Sequence, residues 1–273
     1  MDKIKPCDYC IEEECKGKRN CNCGTCSKRS QCVKVLHPTI RITKKCTQKC
    51  SHCLYECSPD CKEQMTIEMA QKISKFLIAN DIQIITIMGG EFFCNPNWKE
   101  IVKVLCQPVN YCRLVTNGDW AKSQSKEVLE TLSPFKNILK ISISKDQWHT
   151  NQYVEKAVEA CKEYGFEHNI TTSEEDSTEA IIPIGRGEWH YSFFGSMSCY
   201  CSNPQHHYSF LIDEEGKIYK CSPGTWDYAT IEEYLTGGFA KRFKEFNQKF
   251  YSIFIPSCKA CQRVYQSKDS IHV

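Results

Sequence analysis

The chain has 273 residues, 41% of them apolar and 25% charged, with a formal net charge of +2. This fits a globular protein built as one large domain or as a core with appendages, and the near-zero charge gives no electrostatic case for nucleic acid or membrane binding. No apolar run reaches the roughly 18 residues of a transmembrane helix and the N-terminus has no signal-peptide core, so a cytoplasmic protein is expected.

Cysteine is the outlier, at 21 residues. In a cytoplasmic chain so many thiols read as metal ligands or catalytic groups rather than as a disulfide framework. Seven lie in residues 7–32, five in 46–61 and five in 199–261. Cys94, Cys106, Cys112 and Cys161 stand apart and are expected to be small buried residues.

Residues 1–36 are too poor in large apolar side chains to fold unaided. Their pairs Cys7-x2-Cys10 and Cys23-x2-Cys26 can wrap a tetrahedral zinc, and Cys15, Cys21 and Cys32 leave most of a second site. Zinc and a further Fe–S cluster both stay open; either would supply folding free energy that a small core cannot.

From His37 the texture changes to alternating strand and helix patterns. Strands are predicted at 37–43, 82–88, 111–116, 138–144, 167–172 and 180–184, with helices at 66–79, 97–105, 123–132 and 153–164. Thr66 is the expected N-cap of the first helix. This rhythm implies βαβ units and a parallel sheet, and six strands are too few for a complete eight-stranded barrel. The expected fold is therefore α/β, an open (β/α)6 barrel, with chemistry at the C-terminal ends of the strands.

Directly after the first strand comes Cys46-Thr-Gln-Lys-Cys50-Ser-His-Cys53. Three thiolates at this spacing can hold three irons of a [4Fe–4S] cluster and leave the fourth open, as metal sites do where a substrate must bind. The stretch resembles the C-x3-C-x-Φ-C signature of the radical S-adenosylmethionine (radical SAM) enzymes, with His52 in the aromatic place. The resemblance implies that the amino and carboxylate groups of SAM chelate the open iron. An electron from the cluster then cleaves SAM, and the 5′-deoxyadenosyl radical so formed abstracts a substrate hydrogen.

Later strand ends carry further matches. Gly89-Gly90-Glu91-Phe92 resembles the family's GGEP segment, which binds the amino group of SAM, and glycines there allow close backbone approach. Thr116-Asn117-Gly118 resembles the family's TNG strand end. Ser142 and Ser144 share one strand face and occupy the place where relatives face SAM, while Asp146 and His149 are the catalytic candidates on the substrate side. Arg186, in Ile184-Gly-Arg-Gly187, is a candidate for a carboxylate. The resemblance covers about residues 37–190.

Residues 191–273 depart from the βα rhythm. Runs at 208–212 and 217–221 flank Asp213-Glu-Glu-Gly216, a hairpin signal. With Cys199, Cys201, Cys221 and Cys258-x2-Cys261 they resemble a twitch or abbreviated SPASM domain. The resemblance implies one auxiliary [4Fe–4S] cluster on Cys221, Cys258, Cys261 and either Cys199 or Cys201; zinc on the same ligands stays open. Three parts are thus expected: a Cys-rich extension (1–36), a partial barrel (37–190) and a small α+β cluster domain (191–273). The roles of Cys57 and Cys61 are left undecided.

The expected function is a radical SAM oxidoreductase or maturase that modifies a peptide or protein, served by an electron donor such as flavodoxin or ferredoxin. A small-molecule substrate, an amino sugar or nucleotide, is the alternative. From a different class stands a zinc-rich, non-catalytic interaction module, which would have no use for Gly89-Gly90-Glu91 after a strand. No G-x-S-x-G or comparable motif supports nucleophilic hydrolysis.

Overall fold

A computed structural model describes residues 36–146, 148–150, 152–171, 209–219 and 227–243. Five strands follow in chain order, β1 (His37–Arg41), β2 (Ile84–Met88), β3 (Tyr111–Thr116), β4 (Leu139–Ser144) and β5 (Glu167–Thr171), each parallel to its neighbour. The helices between them are α1 (Ile67–Ala79), α2 (Trp98–Cys106), α3 (Ser125–Leu132) and α4 (Val154–Glu163). The βα rhythm read from the sequence is therefore present, and the parallel sheet with its crossovers is α/β. The sixth strand expected at 180–184 lies outside the described residues, as does the expected domain boundary at residue 190.

Alternation along each strand separates two faces. Ile40, Ile85, Ile87, Leu114, Ile141 and Ile143 are fully buried in the core that also takes α1 to α4. Burying each such side chain contributes about 1.5–3 kcal/mol. The opposite face carries polar residues: Thr86 is in register with Arg113, and Ser142, two residues beyond Arg113's partner Lys140, is in register with Asn169. Helix α1 shows how the apolar stripe sets an element. Ala70, Ile73, Phe76 and Leu77 repeat at helical spacing and are buried, and the Thr66 hydroxyl accepts from the Met69 N–H at its start.

The C-terminal hairpin joins the same sheet. Strand β6 (Ser209–Ile212) runs parallel to β1 on the side away from β2, and β7 (Lys217–Tyr219) and β8 (Asp227–Thr230) continue antiparallel. The full order is β5-β4-β3-β2-β1-β6-β7-β8, open at both ends among the described residues. The ring of Phe76 on α1 lies 6.5 Å from Phe210 and 5.1 Å from Phe239, so the hairpin and the 227–243 segment share the barrel's core. Asn80 fastens this join: its Nδ2 donates to the carbonyls of Phe76 and Tyr234, and its Oδ1 accepts from the Phe239 N–H. No described helix is long and apolar enough to cross a membrane.

Candidate active site

The C-terminal ends of β1 to β4 converge on one loop. After Arg41 the chain passes through Thr43 and Lys45 to Cys46 and folds back, with the Cys46 N–H donating to the Ser58 carbonyl at 3.0 Å. The end of β2 extends beside it: the N–H groups of Gly90 and Glu91 donate to the carbonyls of Thr43 and Lys45 at 2.8 and 2.9 Å. This approach explains the two glycines. A Cβ on Gly90 would lie 2.6 Å from the Lys45 oxygen, 2.7 Å from the Lys44 oxygen and 2.8 Å from Cys46 Cβ. One on Gly89 would meet Thr43 Cγ2 at 2.8 Å.

Glu91 is 1% exposed and turned inward. Its Oε1 accepts from the Thr116 hydroxyl at 2.7 Å and its Oε2 from the Asn117 N–H at 2.8 Å, clamping the end of β2 to the end of β3. Burial pushes its carboxyl up to about 7, against the pull of those two donors. Asn117 reaches onward with Nδ2 to Thr47 Oγ1 at 2.9 Å and to Cys46 Sγ at 3.9 Å. Asp119 accepts from Thr47 Oγ1 and from Gln48 Nε2, so two residues after β3, Asn117 and Asp119, hold the cysteine loop.

Around the thiols the donors are aimed at sulfur. The Gln48 N–H points to Cys46 Sγ at 3.4 Å and the Cys57 N–H to Cys53 Sγ at 3.3 Å. Burial pushes the Cys46 thiol up to about 12, opposed by the Gln48 N–H. A bound metal would replace that proton. Cys57 is no surface bystander: it is buried with Cys46, Tyr55 and Leu211, and its hydrogen bond with Cys53 and its burial push its thiol up. Cys61 is half-buried, against Ser58. Three thiols on one loop, sulfur-directed donors and a glycine edge that admits no side chain fit a [4Fe–4S] cluster held by Cys46, Cys50 and Cys53.

The loop after β4 closes over His52. Asp146 Oδ1 accepts from His149 Nδ1 at 2.8 Å and from the N–H groups of Trp148 and His149, and its Oδ2 lies 3.9 Å from His52 Nε2. Burial alone would push the Asp146 carboxyl up; the His149 hydrogen bond, both imidazoles and the Trp148 N–H outweigh it and hold it below the usual carboxylate range. The Thr150 N–H donates to Gln48 Oε1 at 3.0 Å, tying the same loop to the cysteines. Donor atoms of His52, Asp146 and His149 lie within 4.8 Å of one another, close enough to hold a cation.

The structure thus brings together Cys46, Cys50, His52, Cys53, Gly89, Gly90, Glu91, Thr116, Asn117, Asp146 and His149 at one end of the sheet. Ser142 stands lower and is fully buried: its hydroxyl donates to Asn169 Oδ1 at 2.9 Å and accepts from Arg113 Nε at 3.0 Å. Ser144, last in β4, is half-buried beside Thr171 in register. Arg186 and the cysteines Cys7, Cys10, Cys23, Cys26, Cys199, Cys201, Cys221, Cys258 and Cys261 lie outside the described residues. Sequence reasoning missed Gln48, Thr47, Asp119 and Arg113. Asp119 alone carried a local signal, directly after the Asn117-Gly118 turn.

The family model of the radical SAM superfamily matches residues 40–184, a little over half of the chain. Among curated proteins, the antilisterial bacteriocin subtilosin biosynthesis protein AlbA of Bacillus subtilis (strain 168) is 33% identical over 111 residues. That stretch is 41% of this chain and 24% of AlbA, so the chain matches about a quarter of its relative's length. The crystal structure of BtrN in complex with AdoMet and 2-DOIA superposes with a TM-score of 0.53 at 16% identity, over 78% of this chain and 86% of that one. Native anSMEcpe with bound AdoMet and Cp18Cys peptide gives 0.53 at 16%, over 78% and 81%. At such identity these two show a shared fold, the radical SAM partial barrel. With its cysteine triplet held by the ends of β2, β3 and β4, the chain belongs to the radical SAM superfamily of enzymes.

Proposed function

We propose that this protein binds SAM at a [4Fe–4S] cluster on Cys46, Cys50 and Cys53 and modifies a peptide or protein substrate. When bound, the cluster and SAM supply a 5′-deoxyadenosyl radical that removes a substrate hydrogen atom. One observation carries the reading: the Glu91 clamp joins Thr116 and Asn117 to the loop bearing the three thiols. A non-catalytic zinc module would have no use for it. Similarity to AlbA, named for the biosynthesis of a bacteriocin, and the fold shared with a peptide-bound enzyme support the peptide substrate.

His52 provides the flat side chain beside the cysteines, and Asp146 and His149 are the catalytic candidates on the substrate side. An ionised Asp146 can only accept, so His149 Nδ1 carries a hydrogen toward it and Nε2 is left to take or give a proton. Ser144 and the backbone of Gly89-Gly90 are the remaining candidates for SAM. For the parts outside the described residues we retain an auxiliary cluster on Cys221, Cys258, Cys261 and either Cys199 or Cys201. Zinc or Fe–S on Cys7, Cys10, Cys23 and Cys26, a carboxylate contact at Arg186 and a flavodoxin or ferredoxin donor complete the reading.

The substrate class is tested by adding fractions of a cell extract to the reconstituted, reduced enzyme and measuring 5′-deoxyadenosine. Stimulation by a high-mass fraction that protease treatment abolishes is the expected result. Stimulation confined to a protease-resistant, low-mass fraction would overturn the peptide reading in favour of a small molecule.

A further inference from the structure

Beneath the cysteine loop lies a buried ion pair that the reaction as described does not use. Arg41, the last residue of β1, is joined to Glu214 in the β6–β7 turn: Nε donates to Oε2 at 2.8 Å and Nη2 to Oε1 at 3.3 Å. Both side chains are at most 7% exposed. The guanidinium sits 5.0 Å from the Tyr55 ring centre, and Tyr55 packs with Cys46, Cys57 and Leu211, against which Cys53 also lies.

A buried pair of this kind is weak evidence for stability, because apolar residues of similar volume often serve as well. Its position suggests an electrostatic role instead. We infer that Glu214 sets the reduction potential of the cluster on Cys46, Cys50 and Cys53 by cancelling the Arg41 charge beneath its loop. The inference rests on the cluster assignment above. Reduction adds one electron to the cluster from a low-potential one-electron donor, with no bond made or broken. A buried cation nearby favours the reduced form and raises the potential; a buried anion does the reverse. Paired, the two nearly cancel, and the cluster stays at the low potential that breaking a strong carbon–sulfur bond requires.

The neighbouring buried Asp213 also acts on the Arg41 charge, but its hydrogen bonds go elsewhere. Its Oδ1 accepts from the Glu215 and Lys217 N–H groups and its Oδ2 from the Tyr219 hydroxyl, which shapes the turn that presents Glu214. The pair therefore links the hairpin to the electronics of the site through residues 173 positions apart.

The test is a potentiometric titration with dithionite on full-length reconstituted protein at fixed pH, followed by electron paramagnetic resonance. The cluster's signal is identified by its loss in the Cys46/Cys50/Cys53→Ala variant. Equal iron and sulfide content across Glu214→Gln, Arg41→Gln and the double variant keeps the comparison clean. Glu214→Gln should shift the midpoint upward, Arg41→Gln should shift it downward, and the double variant should return close to wild type. Opposite signs are the signature of charge, since loosened packing would move both single variants the same way. Shifts of one sign, or none, overturn the inference. Should Glu214→Gln fail to fold, the sign in Arg41→Gln decides. A wild-type protein that holds no [4Fe–4S] cluster on the triplet would overturn the cluster assignment and this inference with it.

Discussion

Among the described glycines Gly90 has the least room for a side chain, and Gly90→Ala measures that directly. The added methyl would stand 2.6 and 2.7 Å from two backbone oxygens and 2.8 Å from Cys46 Cβ, all closer than real carbon contacts allow. Neither carbonyl is a flexible end, so the cysteine loop must move. Overpacking of this kind costs about 1–3 kcal/mol. Moving the Lys45 carbonyl also weakens its 2.9 Å bond from the Glu91 N–H, about 1 kcal/mol more. The total of roughly 2–4 kcal/mol corresponds to a melting temperature lower by roughly 5–15 °C for a chain of this size. Circular dichroism of the metal-free protein would read it, with iron content after reconstitution as the second measure. Gly238→Ala is the control: nothing lies within 4 Å of its Cβ, and only its φ of +87° resists, for about 1 kcal/mol. Gly90→Ala no less stable than Gly238→Ala, with full iron content, would refute the close-approach account.

The buried Glu91 carboxyl gives a pH dependence of definite sign. Its folded-state value of about 7 lies above the ordinary 4.5, so the native state holds a proton that the unfolded chain releases. Its contribution is complete at low pH and is lost as pH rises to about 7, by about 3 kcal/mol at most. Urea unfolding of the metal-free protein should show stability relative to Glu91→Gln falling with pH across that window; a rising or flat difference contradicts it. Asn80→Ala leaves the Phe239 N–H and the Tyr234 carbonyl without their partner and should destabilise by about 2–3 kcal/mol. A urea midpoint equal to wild type would sink that expectation. His149→Gln should slow turnover of the accepted substrate on the order of a hundredfold, read as modified product by mass spectrometry. Unchanged turnover would remove His149 from the catalytic candidates.

Much of the barrel was legible because its signals are local. The alternation in Tyr111–Thr116 and the helical stripe of α1 each declare their own element, and Gly89-Gly90 and Asn117-Gly118 mark strand ends. Local signals also found the isolated thiols, since Cys106, Cys112 and Cys161 are fully buried, whereas Cys94 is half-buried. What stayed hidden depends on long-range pairing. No local period tells that Glu91 turns inward to Thr116, that Ser142 is committed to Asn169 and Arg113, or that Glu214 meets Arg41. The hairpin was recognised, but its docking beside β1 was not: strand order is set by which edges find partners, and the 209–212 segment carries no mark of its neighbour.

The most direct test of the account is reductive cleavage of SAM. Protein purified anaerobically and reconstituted with iron and sulfide would be reduced with dithionite in the presence of SAM, beside the Cys46/Cys50/Cys53→Ala variant, with protease-sensitive extract fractions supplied as substrate. The wild type should form 5′-deoxyadenosine and the variant none. Equal 5′-deoxyadenosine from both, or a triplet that holds zinc and no iron in anaerobically isolated protein, would contradict it.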